Sequence, residues 1–175
     1  MLYAKPLIFS LGLILLLLPA ITMADQPGQQ IYQHSLKWQN QTYRVGQAEQ
    51  CMNWTREVLK KACGEQFATL ETQQPWDRHL LGDGDKLLPE HADSLASEEF
   101  GQRIDDIDAL EPGDLVFLQN TYGNWAEGVI THVGIATGEG EYIHRMTSNK
   151  GEVLVQPIPA HSFNGAIRLH DKWCK

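Results

Sequence analysis

Thr131-His132-Val133-Gly134-Ile135-Ala136-Thr137-Gly138-Glu139-Gly140-Glu141-Tyr142-Ile143-His144 reads as two apolar runs joined by a glycine-containing turn. Runs of this length, rich in β-branched and aromatic residues and bounded by Gly, predict a β-hairpin. In an antiparallel pair, directly opposed residues share a face. His132 and His144 therefore share one face only if the loop has an odd number of residues. A three-residue loop over 137–139 sets them directly opposite. The same loop moved one residue onward makes them diagonal neighbours, roughly 7–8 Å apart and still within side-chain reach. A two-residue loop would send them to opposite faces. Gly at two turn positions suits three residues with a left-handed member.

Strand signals continue on both sides of the hairpin. Pro112-Gly113 is a turn, followed by a strand over 114–119 with Leu115-Val116-Phe117-Leu118 at its centre. Further strands are expected over 153–158 and 163–169. Upstream the period changes. Trp54, Thr55, Val58, Leu59 and Ala62 fall on one face with Cys51, so 50–63 predicts an amphipathic helix that stops at Gly64. Residues 25–48 read as a loose polar arm with a short strand at 41–45, and 94–103 as a short helix. Helices first and a strand meander afterwards make an α+β domain. Its helix, carrying Cys51, packs on an antiparallel C-terminal sheet.

Cys51 stands at the start of that helix. A thiol there feels the positive end of the macrodipole, which favours thiolate. A thiolate nucleophile needs a base such as His132, and His144 can orient the base through its other nitrogen. The same three side chains have the ligand types of a zinc site, a second chemistry left open. Gly82-Asp83-Gly84-Asp85 carries acidic residues but lacks the spacing and closing Glu of an EF-hand. No metal or cofactor is expected. The chain has three cysteines, Cys51, Cys63 and Cys174. Twelve residues of helix separate Cys51 from Cys63 by about 18 Å, beyond disulfide reach. If a pair forms it is Cys63 with Cys174, leaving Cys51 free.

The 175 residues carry 14 Lys and Arg against 22 Asp and Glu. That acidic balance argues against a nucleic-acid partner, which needs a basic footprint. Lys5, the apolar run Leu7 to Leu18, Pro19 and the small-residue site Thr22-Met23-Ala24 predict a signal peptide over 1–24. The run is short for a membrane span. The expected mature domain, residues 25–175, is then exported, periplasmic or secreted, with no integral membrane span after cleavage.

Leu110-Glu111-Pro112-Gly113-Asp114-Leu115-Val116-Phe117-Leu118, together with the hairpin from Thr131 to His144, resembles the NlpC family of bacterial cell-wall cysteine peptidases. The interval between the two histidines matches that family's spacing. Tyr43-Arg44-Val45-Gly46 is similar to its Tyr-containing strand ahead of the cysteine. The resemblance implies a papain-like α+β fold with Cys51 as nucleophile, His132 as base and His144 as third residue. Tyr43, Asn53 and Trp125 are the expected substrate contacts. It also implies a peptidoglycan or muropeptide substrate cut at a stem-peptide amide. Gln50-Cys51-Met52-Asn53 departs from the family's Asp-Cys-Ser-Gly, while Cys-Met-Asn-Trp is similar to the CHAP amidases. The alternatives are therefore a CHAP-like N-acetylmuramoyl-alanine amidase, a wall-binding pseudoenzyme and an acyl-transfer or deamidating toxin.

Overall fold

The structure is a computed structural model that describes residues 26–44, 50–67, 92–93, 95–123, 125, 127–146 and 150–174. The expected signal peptide and the Gly82 to Asp85 stretch lie outside the described residues.

The helix expected over 50–63 is α2, Gln50–Cys63. Met52, Trp54, Val58 and Leu59 have no exposed surface. Each such side chain stabilises the fold by roughly 1.5–3 kcal/mol relative to exposure. Lys60 and Lys61 occupy the last turn, where cations suit the dipole. Among the described residues six strands form one antiparallel sheet: β1 (Gly101–Ile104), β2 (Leu115–Gln119), β3 (Ile130–Ala136), β4 (Glu141–Arg145), β5 (Val153–Pro157) and β6 (Phe163–Leu169). Their spatial order is β1-β6-β2-β3-β4-β5. The expected α+β arrangement, a Cys51 helix on an antiparallel C-terminal sheet, is the observed one.

Strand alternation divides the apolar residues between two faces. Leu115, Phe117, Val133, Ile135, Ile143 and Ile167 join the α2 residues in one core. Val116, Leu118, Ala136, Tyr142 and Ala166 form a second cluster on the other face. The Pro112-Gly113-Asp114 turn ties these layers together. Asp114, 2% exposed, accepts from Arg168 Nε at 3.0 Å and Nη2 at 2.9 Å. It also accepts from the Glu111 backbone N–H at 2.8 Å. Gly113 has φ +96°, and a Cβ there would lie 2.0 Å from the Gly28 carbonyl oxygen, so only glycine lets the two segments touch.

Three local expectations are corrected. The loose arm contains α1, Pro27–Leu36, with Pro at its first turn where the missing N–H costs nothing. Its only buried residues are Ile31 and Ser35, too sparse a stripe to show as periodicity. The strand expected at 41–45 reduces, among the described residues, to a single bridge between Thr42 and Glu152. The helix expected over 94–103 is also absent. Among its described residues turns lead into β1, where Gly101 pairs with Leu169 and Ile104 with Ala166. A Cβ on Gly101 would stand 2.0 Å from the Arg168 carbonyl oxygen. Close pairing with β6 overrides the local helix signal.

Candidate active site

The hairpin adopts the diagonal alternative. Ile135 pairs with Ile143 and Ala136 with Tyr142. Thr137 N–H donates to the Glu141 carbonyl at 3.0 Å, so the loop is Gly138 to Gly140. Both of those glycines are left-handed, at φ +89° and +71°. His132 and His144 consequently share a face and meet, Nε2 to Nδ1, at 2.8 Å. This register puts Gly134 beside His144. A Cβ on Gly134 would lie 2.9 Å from the His144 Cβ and 2.5 Å from Tyr142 Cδ2.

The strands then part. The register would next oppose Val133 to Arg145, but pairing between β3 and β4 ends at Ile135 with Ile143. β4 instead stays with β5 through Arg145 and Val153. The backbone amides of Val133, freed from β4, of Met52 and of Cys51 itself face the Cys51 thiol and favour its charged form. The thiol thus enters from the helix side, beside the residue that follows His132. Cys51 is 7% exposed, His132 3% and His144 4%, so the cluster lies at the inner rim of the core.

The charge states follow from this burial. Burial raises the Cys51 thiol, and the backbone amides and the Arg145 charge only partly oppose it. The thiolate expected from the helix dipole is therefore not the resting form. Burial also lowers His132 to about 3, helped by His144 and Arg145. His144 is lowered to about 4 by burial, against a hydrogen bond to Gln156 that raises it. Near neutral pH the resting site is a thiol beside two neutral imidazoles. His132 Nδ1 is buried and has no hydrogen-bond partner.

Four neighbours escaped the sequence reading. Tyr142 stacks on His144 at 4.2 Å and 10°. Gln156 Oε1 meets His144 Nε2 at 2.9 Å. Arg145 donates from Nε to the Tyr43 carbonyl at 3.2 Å, and Gly134 clears the space described above. The parity rule applied to the hairpin, carried one strand further, finds Gln156 on the His144 face. A charge inside an apolar strand was the available signal for Arg145.

The expected substrate residues fare differently. Tyr43 is brought to the site's border by its carbonyl bond to Arg145, and its ring packs edge-on against Trp38 at 5.4 Å. Asn53 lies half-buried on α2, two residues beyond Cys51, with no described hydrogen bond. Trp125 is 8% exposed and packs edge-on against Tyr122 at 6.3 Å, with no described contact to the histidines. Cys63 and Cys174 are disulfide-bonded and Cys51 is free. Among the described residues no group of three or more His, Cys, Asp or Glu is placed to hold a metal ion.

A family model described as the NlpC/P60 family matches residues 34–164. The chain belongs to the NlpC/P60 family. NlpC/P60 proteins are generally cysteine peptidases and hydrolases of the cell wall. A comparison with curated proteins finds no match. Among solved structures, the NlpC/p60 domain of the peptidoglycan hydrolase SagA is 21% identical, over 81% of this chain and 98% of that one, with a TM-score of 0.49. NlpC2 from Trichomonas vaginalis is 18% identical, over 83% and 46%, at 0.49. NlpC1 from the same organism is 18% identical, over 85% and 46%, at 0.48. No described helix is long and apolar enough to cross a membrane.

Proposed function

We propose that this chain is an exported thiol hydrolase that cuts an amide bond in the stem peptide of peptidoglycan. One observation carries the reading. A single free thiol at a helix N-terminus lies against the backbone of Val133, the residue next to His132 in a buried imidazole pair with an unoccupied ring nitrogen. Nδ1 of His132 takes the Cys51 proton as sulfur attacks the substrate carbonyl. N–H groups at the start of α2 stabilise the oxyanion. The imidazolium gives its proton to the leaving amine, and water then hydrolyses the thioester. Thiol and imidazole are both neutral at rest, so the proton moves when substrate arrives. A bond between Cys63 and Cys174 fits an oxidising compartment, as does the apolar leader.

The test incubates the mature domain with purified muropeptides and weighs the products. Fragments split within the stem peptide are expected. Release of the intact peptide from the sugar would make the enzyme an amidase instead. The burial of Cys51 favours one other reading, a wall-binding protein without turnover. Bound but uncut muropeptide would establish it.

A further inference from the structure

Building on the thiol-hydrolase reading, we infer that Gln156 is a positioning residue that sets the hydrogen-bond polarity of the histidine pair and so leaves His132 Nδ1 able to accept a proton. His132 Nε2, His144 Nδ1, His144 Nε2 and Gln156 Oε1 form one line, with links of 2.8 Å and 2.9 Å. A neutral imidazole has one donor and one acceptor nitrogen, so a line through two of them has only two polarities. The carbonyl oxygen of Gln156 can only accept. His144 Nε2 must then carry a hydrogen, His144 Nδ1 must accept, and His132 must donate from Nε2. Its remaining nitrogen, Nδ1, is left with a bare lone pair. Reversal of the line would put the hydrogen on His132 Nδ1, and the ring could no longer take a proton there.

The fold holds Gln156 to this task. It lies on β5 directly across from Tyr142, whose ring stacks on His144. The side chain therefore crosses diagonally to the imidazole. The groups facing the pair are Tyr142 and Arg145 on β4 and Gln156 on β5, and Cys51 on α2 acts on Tyr142. Burial, with smaller contributions from His144 and the permanent charge of Arg145, lowers His132, so the pair holds a bare nitrogen and not an imidazolium at rest. When His132 takes the thiol proton at Nδ1, Nε2 keeps its hydrogen and still donates to His144. The charge forms without any link in the line being broken.

Nitrogen NMR of ring-labelled histidines in the full chain decides the polarity without reference to any substrate. The expected spectrum has His132 protonated at Nε2 and bare at Nδ1, and His144 protonated at Nε2. In Gln156→Met both tautomers of His132 should appear. The kcat on muropeptides should then fall about 10²-fold, the low end of what a positioned base contributes, with KM little changed. Gln156→Glu keeps the acceptor and adds a charge. It should preserve the wild-type tautomer and move the acid limb of the pH–rate profile upward. Wild-type protein protonated at His132 Nδ1, or Gln156→Met with an unchanged His132 spectrum, overturns the inference. If wild-type protein shows the expected tautomers but cuts no muropeptide, the substrate reading fails and the assignment of Gln156 stands.

Discussion

At the turn end of the β3–β4 hairpin, Ala136 faces Tyr142 and Ile135 faces Ile143 in regular pairing. A few residues away the same strands separate, and Val133 and Arg145, which the register would have joined, go to other partners. The zipped end is apolar or glycine-turned and spends its backbone groups on the ladder. At the parted end one of them, the Val133 N–H, faces the Cys51 thiol instead. The open end turns toward the thiol the amide that β4 gives up. A pairing defect and a polar cluster are in this molecule the same feature.

The largest effect should come from removing the groups at the parted end. Cys51→Ala is expected to abolish turnover while the far-ultraviolet circular dichroism stays native, because the zipped end and the rest of the α2 core are untouched. His132→Ala should be nearly as severe. Adding it to Cys51→Ala should cost little more, since residues acting as one unit are strongly non-additive. His144→Ala should be milder, as an orienting residue. Turnover by Cys51→Ala at the wild-type rate would remove the chemistry from this end altogether.

Acid should act next, and through the same end. His132 and His144 are lowered to about 3 and about 4, from an ordinary 6.5. Their folded pKa values lie below the unfolded ones. Between pH 6.5 and about 4 the unfolded chain therefore binds protons that the folded chain refuses. This contribution to stability is complete above pH 6.5 and is lost as the pH falls. Each histidine that stays neutral should add a slope of about 1.4 kcal/mol per pH unit. Urea unfolding at several pH values measures it. A double variant, His132→Gln with His144→Gln, should flatten the curve in that window, and a wild-type curve already flat there would contradict the assigned burial.

Gly134 sits at the junction of the two ends. Gly134→Ala places a Cβ against Tyr142, His144 and the Ile143 carbonyl. Overpacking of this kind costs typically about 1–3 kcal/mol, read as a lower urea midpoint. Because the pressure falls on the His144 Cβ, turnover should drop by more than the population of folded protein accounts for. Equal losses in both would make Gly134 a matter of packing alone.

How much of this was legible in the sequence depends on the kind of signal each residue carried. The α2 face showed because Trp54, Val58 and Leu59 repeat at helical spacing. The histidine pair showed because parity is a property of numbering, and it held once Gly138 and Gly140 set the loop. α1 stayed hidden because it buries only Ile31 and Ser35. β1 stayed hidden because Gly101 owes its strand to β6, more than sixty residues away in the chain. The resting charge of Cys51 was misread for a related reason. The helix dipole is local and readable, whereas the burial that outweighs it comes from β3 and β4. Gln156 lay within reach of the parity rule, one strand beyond where it was applied.

The smallest expected effect concerns Arg145, the residue that parting the strands leaves beside the thiol. Its charge lowers Cys51 against the larger rise caused by burial. Replacing it in Arg145→Met should raise the thiol further, so that iodoacetamide alkylation of Cys51 in the folded protein begins at a higher pH. With Cys63 and Cys174 bonded, Cys51 is the one thiol available, and the reaction needs no site-specific label. Arg145→Lys keeps a positive charge but loses the fork that reaches the Tyr43 carbonyl. It should restore the wild-type alkylation profile if charge is the cause, and fail to restore it if the hydrogen bond is. The same charge also lowers His132, so Arg145→Met raises the base together with the nucleophile. Turnover near neutral pH should therefore change less than alkylation does. A site zipped like the turn end would have no such buried charge to remove, and alkylation profiles that coincide for wild type and Arg145→Met would mean that the parted end gains nothing from holding one.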